Sequence, residues 1–198
     1  MESVETMYLK KVRTFLSAMF ICGTLMLSGC GNMNANDDFI FGKNRIHCAG
    51  ETITIVTPFE LISEGKQVDL GNRNATRVNA EGHNNNLQIL VTGNAVSENY
   101  NVEKLSGDAV NVLKNNPSLS DLKTKENTVT VGNKEGKLLT FTFTESGNGH
   151  KTALTVKEYI FSGKNTVWRV IYQYRSGDQL GKELADRVAG QITSGSEF

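Results

Sequence analysis

Two thiols in this sequence stand where their type and surroundings could do chemistry. Cys48 directly follows His47, the one place where a thiol and an imidazole adjoin, and Cys30 ends a long apolar run. A His-Cys pair can ligate zinc or activate a thiolate. Zinc needs three or four ligands, however, and the other histidines, His83 and His150, stand apart in Gly- and Asn-rich stretches. Adjacent residues of an extended chain also point to opposite sides, which turns His47 away from the Cys48 proton. His47 and Cys48 are therefore weak candidates for a metal or redox site, and a loop histidine beside a buried or edge thiol is the plainer expectation. No cofactor is expected.

Other candidate chemistry is thinner. "GNGHKT" at 147–152 lacks the Gly-Lys-Ser/Thr of a phosphate loop and falls between two apparent strands, where a hairpin turn is expected. Neither Gly-x-Ser-x-Gly nor His-Glu-x-x-His occurs. Glu51, Glu60, Glu64, Glu81, Glu98, Glu145 and Glu158 are scattered and read as turn or strand-end residues. Residues 65–86, "GKQVDLGNRNATRVNAEGHNNN", read as weak strands broken by Gly and Asn turns, and within them 76–86, "TRVNAEGHNNN", as a solvated polar loop rather than a binding loop. Tyr159, Phe161, Trp168, Tyr172 and Tyr174 could line a ligand cleft, but more simply form the layer between a sheet and a helix. The expectation is a protein that is not an enzyme.

Cys30 carries the stronger pattern. Lys10, Lys11 and Arg13 precede "FLSAMFICGTLML" at 15–27, and then come Ser28, Gly29 and Cys30. A 13-residue helix spans only about 20 Å, short of the ~30 Å hydrocarbon core of a bilayer. Basic region, short apolar region and small residues together describe a secretory signal. Leu27-Ser28-Gly29-Cys30 closely resembles the lipobox of bacterial lipoproteins. That resemblance implies cleavage before Cys30, a diacylglycerol on its sulfur and an acylated new amino terminus, enough for stable anchoring. Gly31 lacks the Asp that resembles an inner-membrane retention signal. Met7 is an alternative start, since Glu2 and Glu5 lie where such a leader is basic.

The 198 residues carry 21 basic and 21 acidic side chains, a net charge of zero. Without residues 1–29 the net charge is −1, and nothing in it suggests nucleic acid as a partner. With 38% hydrophobic residues, the chain can build one domain of ordinary size.

Three segments are expected: a signal peptide at 1–29, the lipidated Cys30 with a flexible tether at 30–49, and a domain at 50–198. Within the domain, alternation predicts strands in "ETITIVTPF", "NLQILVTGN" and "ENTVTVGNKEGKLLTFTFTES". It also predicts a hairpin in "KTALTVKEYIFSGKNTVWRVIYQYRS" turning at 163–165, its second strand apolar on both faces. Val102, Leu105, Ala109, Val112 and Leu113 predict a helix stopped by Asn115, Asn116 and Pro117. Leu180, Leu184, Val188 and Ile192 predict a closing amphipathic helix capped by Ser176 or Asp178, followed by a frayed "SGSEF". The fold class is α+β: a mostly antiparallel sheet sandwiched by helices.

"ITIVTPFELI" and "NTVWRVIYQYRSGDQLGKELADRVAGQI" resemble the opening strand and the closing strand, turn and helix of PsbP-like proteins, and among them the DcrB-like periplasmic lipoproteins. The likeness runs over residues 50–193. It implies an α/β/α sandwich. The wider family includes photosystem extrinsic subunits and a nuclear import factor that binds a small GTPase. The implied work is binding or assembly in the cell envelope, in the periplasm or at the cell surface. The partners would be a membrane, through the lipid on Cys30, and another envelope protein. Small-molecule binding in a cleft between sheet and helix is the second expectation, and an enzyme without a recognisable motif the third.

Overall fold

A computed structural model describes residues 39–68, 75–147 and 150–196. All belong to one compact unit, 33–198. Leu27, Ser28, Gly29 and Cys30 lie outside the described residues, as does most of the expected tether.

Within the stretch expected as a tether, residues Gly42–Cys48 form strand β1, antiparallel to β2 (Glu51–Thr57). Between them Ala49 and Gly50 both take positive φ, 49° and 76°. That tight turn matches the twist of paired strands. Ile46 and Cys48 alternate inward with Asn44, while Lys43 and Arg45 face out. Asn44 is buried because its amide is used: Nδ2 donates to Thr57 Oγ1 at 2.8 Å, and Oδ1 accepts from Leu61 N at 2.9 Å. The domain therefore begins before Gly50.

Past two short strands, β3 (Ile62–Ser63) and β4 (Lys66–Gln67), come β5 (Arg77–His83) and β6 (Gln88–Ala95). The expected polar loop at 76–86 is thus largely strand β5, paired along β6 and carrying Val78 and Ala80 toward the core. Helix α1 (Val102–Lys114) starts where Asn101 Oδ1 accepts from Lys104 N at 2.9 Å. Then β7 (Leu119–Val131), β8 (Lys134–Gly147), β9 (His150–Ser162) and β10 (Thr166–Arg175) run as consecutive hairpins, the last turning at 163–165 as the sequence predicts. Helix α2 (Gln179–Ala189) is capped by Asp178, whose carboxylate accepts from Gly181 N at 2.9 Å. The expected frayed end holds one more strand, β11 (Thr193–Ser196), on the free side of β2.

Among the described residues the structure is mostly antiparallel sheet with two helices. Its large sheet has eight strands in the order β4-β3-β5-β6-β10-β9-β8-β7, and its small sheet is β1-β2-β11. Directly paired residues of antiparallel strands share a face, so the two faces of the large sheet follow from register. On one, Trp168, Val170, Tyr172 and Tyr174 of β10 join Ile89 and Val91 of β6, Phe161 of β9, Ile46, Ile53 and Ile55 of the small sheet, and Leu184, Ala185 and Val188 of α2. This is the main core. On the other face, Leu139 and Phe141 of β8 and Ile160 of β9 are fully buried. Helix α1 packs against β7, β8 and β9, and Glu103 and Ser106 on it reach Lys137 and Glu126.

Candidate functional site

His47 and Cys48 end β1, and both are buried. His47 Nδ1 lies 2.8 Å from Thr52 Oγ1, its cross-strand neighbour. Cys48 has no exposed surface, and its carbonyl accepts from Thr166 Oγ1 at 3.0 Å. Burial pushes the thiol up to about 11, the Glu51 carboxylate adding to it and a hydrogen bond with Thr166 opposing it. A thiol that holds its proton at neutral pH is a poor nucleophile and a poor metal ligand. Consecutive strand positions also send the two side chains to opposite faces, as the alternation of β1 implies. His83 and His150 are both exposed, at the ends of β5 and β9. Among the described residues no cluster of three or more metal-ligating side chains occurs.

The structure brings together a different group of polar side chains, on the β10 face opposite Trp168. Arg169 Nε and Nη2 each lie 2.6 Å from Glu158 Oε1, and the two side chains are only 5% and 4% exposed. Gln173 on the same strand, and Gln88 and Thr92 opposite it on β6, share this face and are buried. Gln88 Oε1 and Thr92 Oγ1 have no hydrogen-bond partner among the described residues. Glu158 is therefore no strand-end carboxylate. It sits mid-strand, neutralised by a guanidinium that binds it through two N–H groups.

This pair fixes charge and register but offers no proton for transfer, since the guanidinium stays charged throughout the physiological range. A signal for it exists in the sequence. Once the turn at 163–165 sets Ile160 opposite Arg169 and Glu158 opposite Ile171, opposite charges at 158 and 169 become diagonal neighbours on one face. Reading β10 as simply apolar on both faces hides this.

Trp168, Tyr172, Tyr174 and Phe161 are buried in the main core, with Tyr159 packed against it, its ring edge-on to Tyr172 at 5.7 Å. A Cβ at Gly93 would lie 2.6 Å from the Trp168 ring, so that ring packs directly on the β6 backbone. Burial pushes Tyr174 up to about 12 and Tyr172 well above the usual tyrosine range.

At the entry to the domain, Phe39 and Phe41 pack against the core while Ile40 between them is 95% exposed. Arg187 of α2 stacks its guanidinium 3.9 Å from the centre of the Phe41 ring. No helix among the described residues is long and apolar enough to cross a membrane.

No protein-family model matches the chain, and no sequence among the curated proteins matches it. Solved structures do resemble it. LpqN, involved in cell envelope biogenesis of Mycobacterium tuberculosis, is 14% identical with a TM-score of 0.48, the match covering 78% of this chain and 91% of that one. The cyanobacterial PsbP protein CyanoP from Synechocystis sp. PCC 6803 is 13% identical with a TM-score of 0.46, over 84% and 97% of the two chains. A protein of unknown function from Pseudomonas aeruginosa is 11% identical with a TM-score of 0.41, over 67% and 95%.

Proposed function

We propose that this chain is a lipid-anchored protein of the bacterial cell envelope. It is cut before Cys30 and held to a membrane by lipid on the Cys30 sulfur, with a PsbP-like α/β/α domain in the periplasm or at the cell surface. The observation that carries the reading is the three-cation, short apolar leader ending in Leu27-Ser28-Gly29-Cys30. The domain's work is non-enzymatic: it binds or supports the assembly of another envelope protein. Two features favour that over catalysis. The one thiol beside an imidazole is built into the core with its proton held, and the buried carboxylate Glu158 is already engaged by Arg169. A surface for a protein partner is available along β7, which ends the large sheet and is exposed over most of its 13 residues. An open edge strand can accept another strand, although its Lys123 and Lys125 and the irregular pairing near Asp121 restrict what can join.

Fractionation of cells making wild type or Cys30→Ala tests the reading. Wild type is expected in the membrane fraction, and the variant should be uncut or lost from that fraction. Unchanged processing and attachment in Cys30→Ala contradict it.

A further inference from the structure

We infer that β7 takes an extended acidic segment of its partner as a further strand of the large sheet, antiparallel, with two alternate carboxylates set opposite Lys123 and Lys125. The inference rests on the protein-binding reading above and names the chemistry of the segment that this edge selects.

The edge can be read residue by residue. From Lys123 to Val131 the pairing of β7 with β8 runs without a break, Lys123 opposite Thr142 and Val131 opposite Lys134. Gly132 and Asn133 close that hairpin with positive φ, 53° and 66°. A two-residue turn of this kind makes the flanking pair, Val131 and Lys134, a hydrogen-bonded one. The alternation of an antiparallel ladder then sends the N–H and C=O of Lys123, Lys125, Asn127 and Val129 toward β8 as well. Those of Thr124, Glu126, Thr128 and Thr130 point outward. Among the described residues no strand lies on that outer side. Below Lys123 the edge is broken, since the pairing shifts between Ser120 and Lys123 and Asp121 takes a φ of 56°.

Charge decides what fits. Lys125 lies opposite Thr140, and Thr140 opposite Lys157, so Lys123 and Lys125 share the face on which Lys157 meets Asp186 of α2. Lys137, on the other face, lies 2.6 Å from Glu103 and 2.9 Å from Glu126. Lys123 and Lys125 are both exposed, and among the described residues neither has a carboxylate partner. Their own N–H and C=O are spent on β8. An incoming antiparallel residue opposite either lysine therefore forms a non-hydrogen-bonded pair with it, the geometry that brings cross-strand side chains closest. A second copy of β7 centred on Asn127 would set Lys125 opposite Val129 and Lys123 opposite Val131, leaving both ammoniums without a carboxylate. An acidic segment neutralises both. On its other face it meets Thr124, Thr128, Thr130 and a Glu126 already held by Lys137.

Labelled peptides test the inference on the full chain in detergent. The probe is a nine-residue threonine peptide matched to residues 123–131, with valine third to face Val129 and glutamate seventh and ninth to face Lys125 and Lys123. Its counterpart carries lysine for glutamate. The glutamate peptide should bind at least about fivefold more tightly. Lys123→Glu with Lys125→Glu should reverse that order, which a loss of folding could not do. Binding should slow hydrogen exchange at the amides of Thr124, Glu126, Thr128 and Thr130. Thr128→Pro removes one outward N–H and none from the β7–β8 ladder, so it should abolish binding at an unchanged urea midpoint. Equal affinity for the two peptides, protection elsewhere or no saturable binding overturns the inference, and the lysines then serve only to keep the edge unpaired. Dimers of the chain that vanish in Thr128→Pro also overturn it. Photo-cross-linking in cells separates this from the wider reading. Capture of an envelope protein from position 182 on α2 but not from position 125 leaves the binding reading standing and sinks the edge. Capture from neither contradicts the binding reading, and the order of the two peptides then decides the edge alone.

Discussion

Strand β10 is buried on both sides, yet its two sides are built differently. Trp168, Val170, Tyr172 and Tyr174 face a layer made by the small sheet and α2, where shape and apolar area dominate. Val167, Arg169, Ile171 and Gln173 face the other way, and there a buried ion pair sits among both apolar and polar neighbours. The apolar side stabilises by removing area from water, which is non-directional. The polar side demands one alignment of β9 against β10, because a shift by one residue would turn Glu158 away from Arg169. Stability should therefore respond to volume on the Trp168 side and to pairing on the Arg169 side.

The largest effect is expected where pairing is broken. Glu158→Ala leaves the Arg169 guanidinium buried without its carboxylate and should cost about 3–5 kcal/mol in urea unfolding. Replacing both, Glu158→Leu with Arg169→Met, should cost much less than the single change. Equal losses in the two variants would erase the distinction between the sides, since the pair would then count only as packing. On the apolar side Leu184→Ala should cost about 2–5 kcal/mol, set by the cavity it leaves. Lys182→Ala, on the exposed side of the same helix, should stay within about 0.5 kcal/mol. If both were small, α2 would not be part of the core.

Smaller effects are expected at the edges of the two layers. Asp178 caps α2 at Gly181 N and its other oxygen accepts from Asn86 Nδ2 at 3.0 Å, so it ties the helix start to the β5–β6 turn. Asp178→Ala should cost about 1 kcal/mol by thermal or urea unfolding. The effect at Cys48 shows only at alkaline pH. Its thiol goes from an ordinary value of 9.0 to about 11 in the folded chain, so folding favours the protonated form. The stability this contributes is complete below pH 9 and is lost as pH rises toward 11. Cys48→Ala should therefore lose less stability than wild type between pH 9 and 11, and an identical alkaline loss would contradict that assignment.

The sequence shows the parts of the fold that carry their own pattern. Leu139, Phe141 and Phe143 alternate with threonines, and Leu184 and Val188 recur at helical spacing, so β8 and α2 stand out from periodicity alone. Strands β1, β5 and β11 do not. "GKNRIHC" and "RVNAEGH" each hold few apolar residues, and "TSGS" holds none. They become strands because β2 and β6 offer open backbone partners, a tertiary effect that local propensity does not record. The Ala49-Gly50 turn is the one local hint of β1. Of the candidate pair, Cys48 is legible as a buried or edge thiol, while the burial of His47 beside it is not. The Arg169–Glu158 pair becomes visible only once the hairpin register is known.

The anchored reading stands or falls on Cys30, and the intact mass of the chain extracted from membranes reads its state without intermediaries. The expected species is a polypeptide beginning at Cys30, heavier than its sequence by a diacylglyceryl group and an amino-terminal acyl chain. A chain that retains residues 1–29, or one that begins elsewhere without added lipid mass, would contradict it.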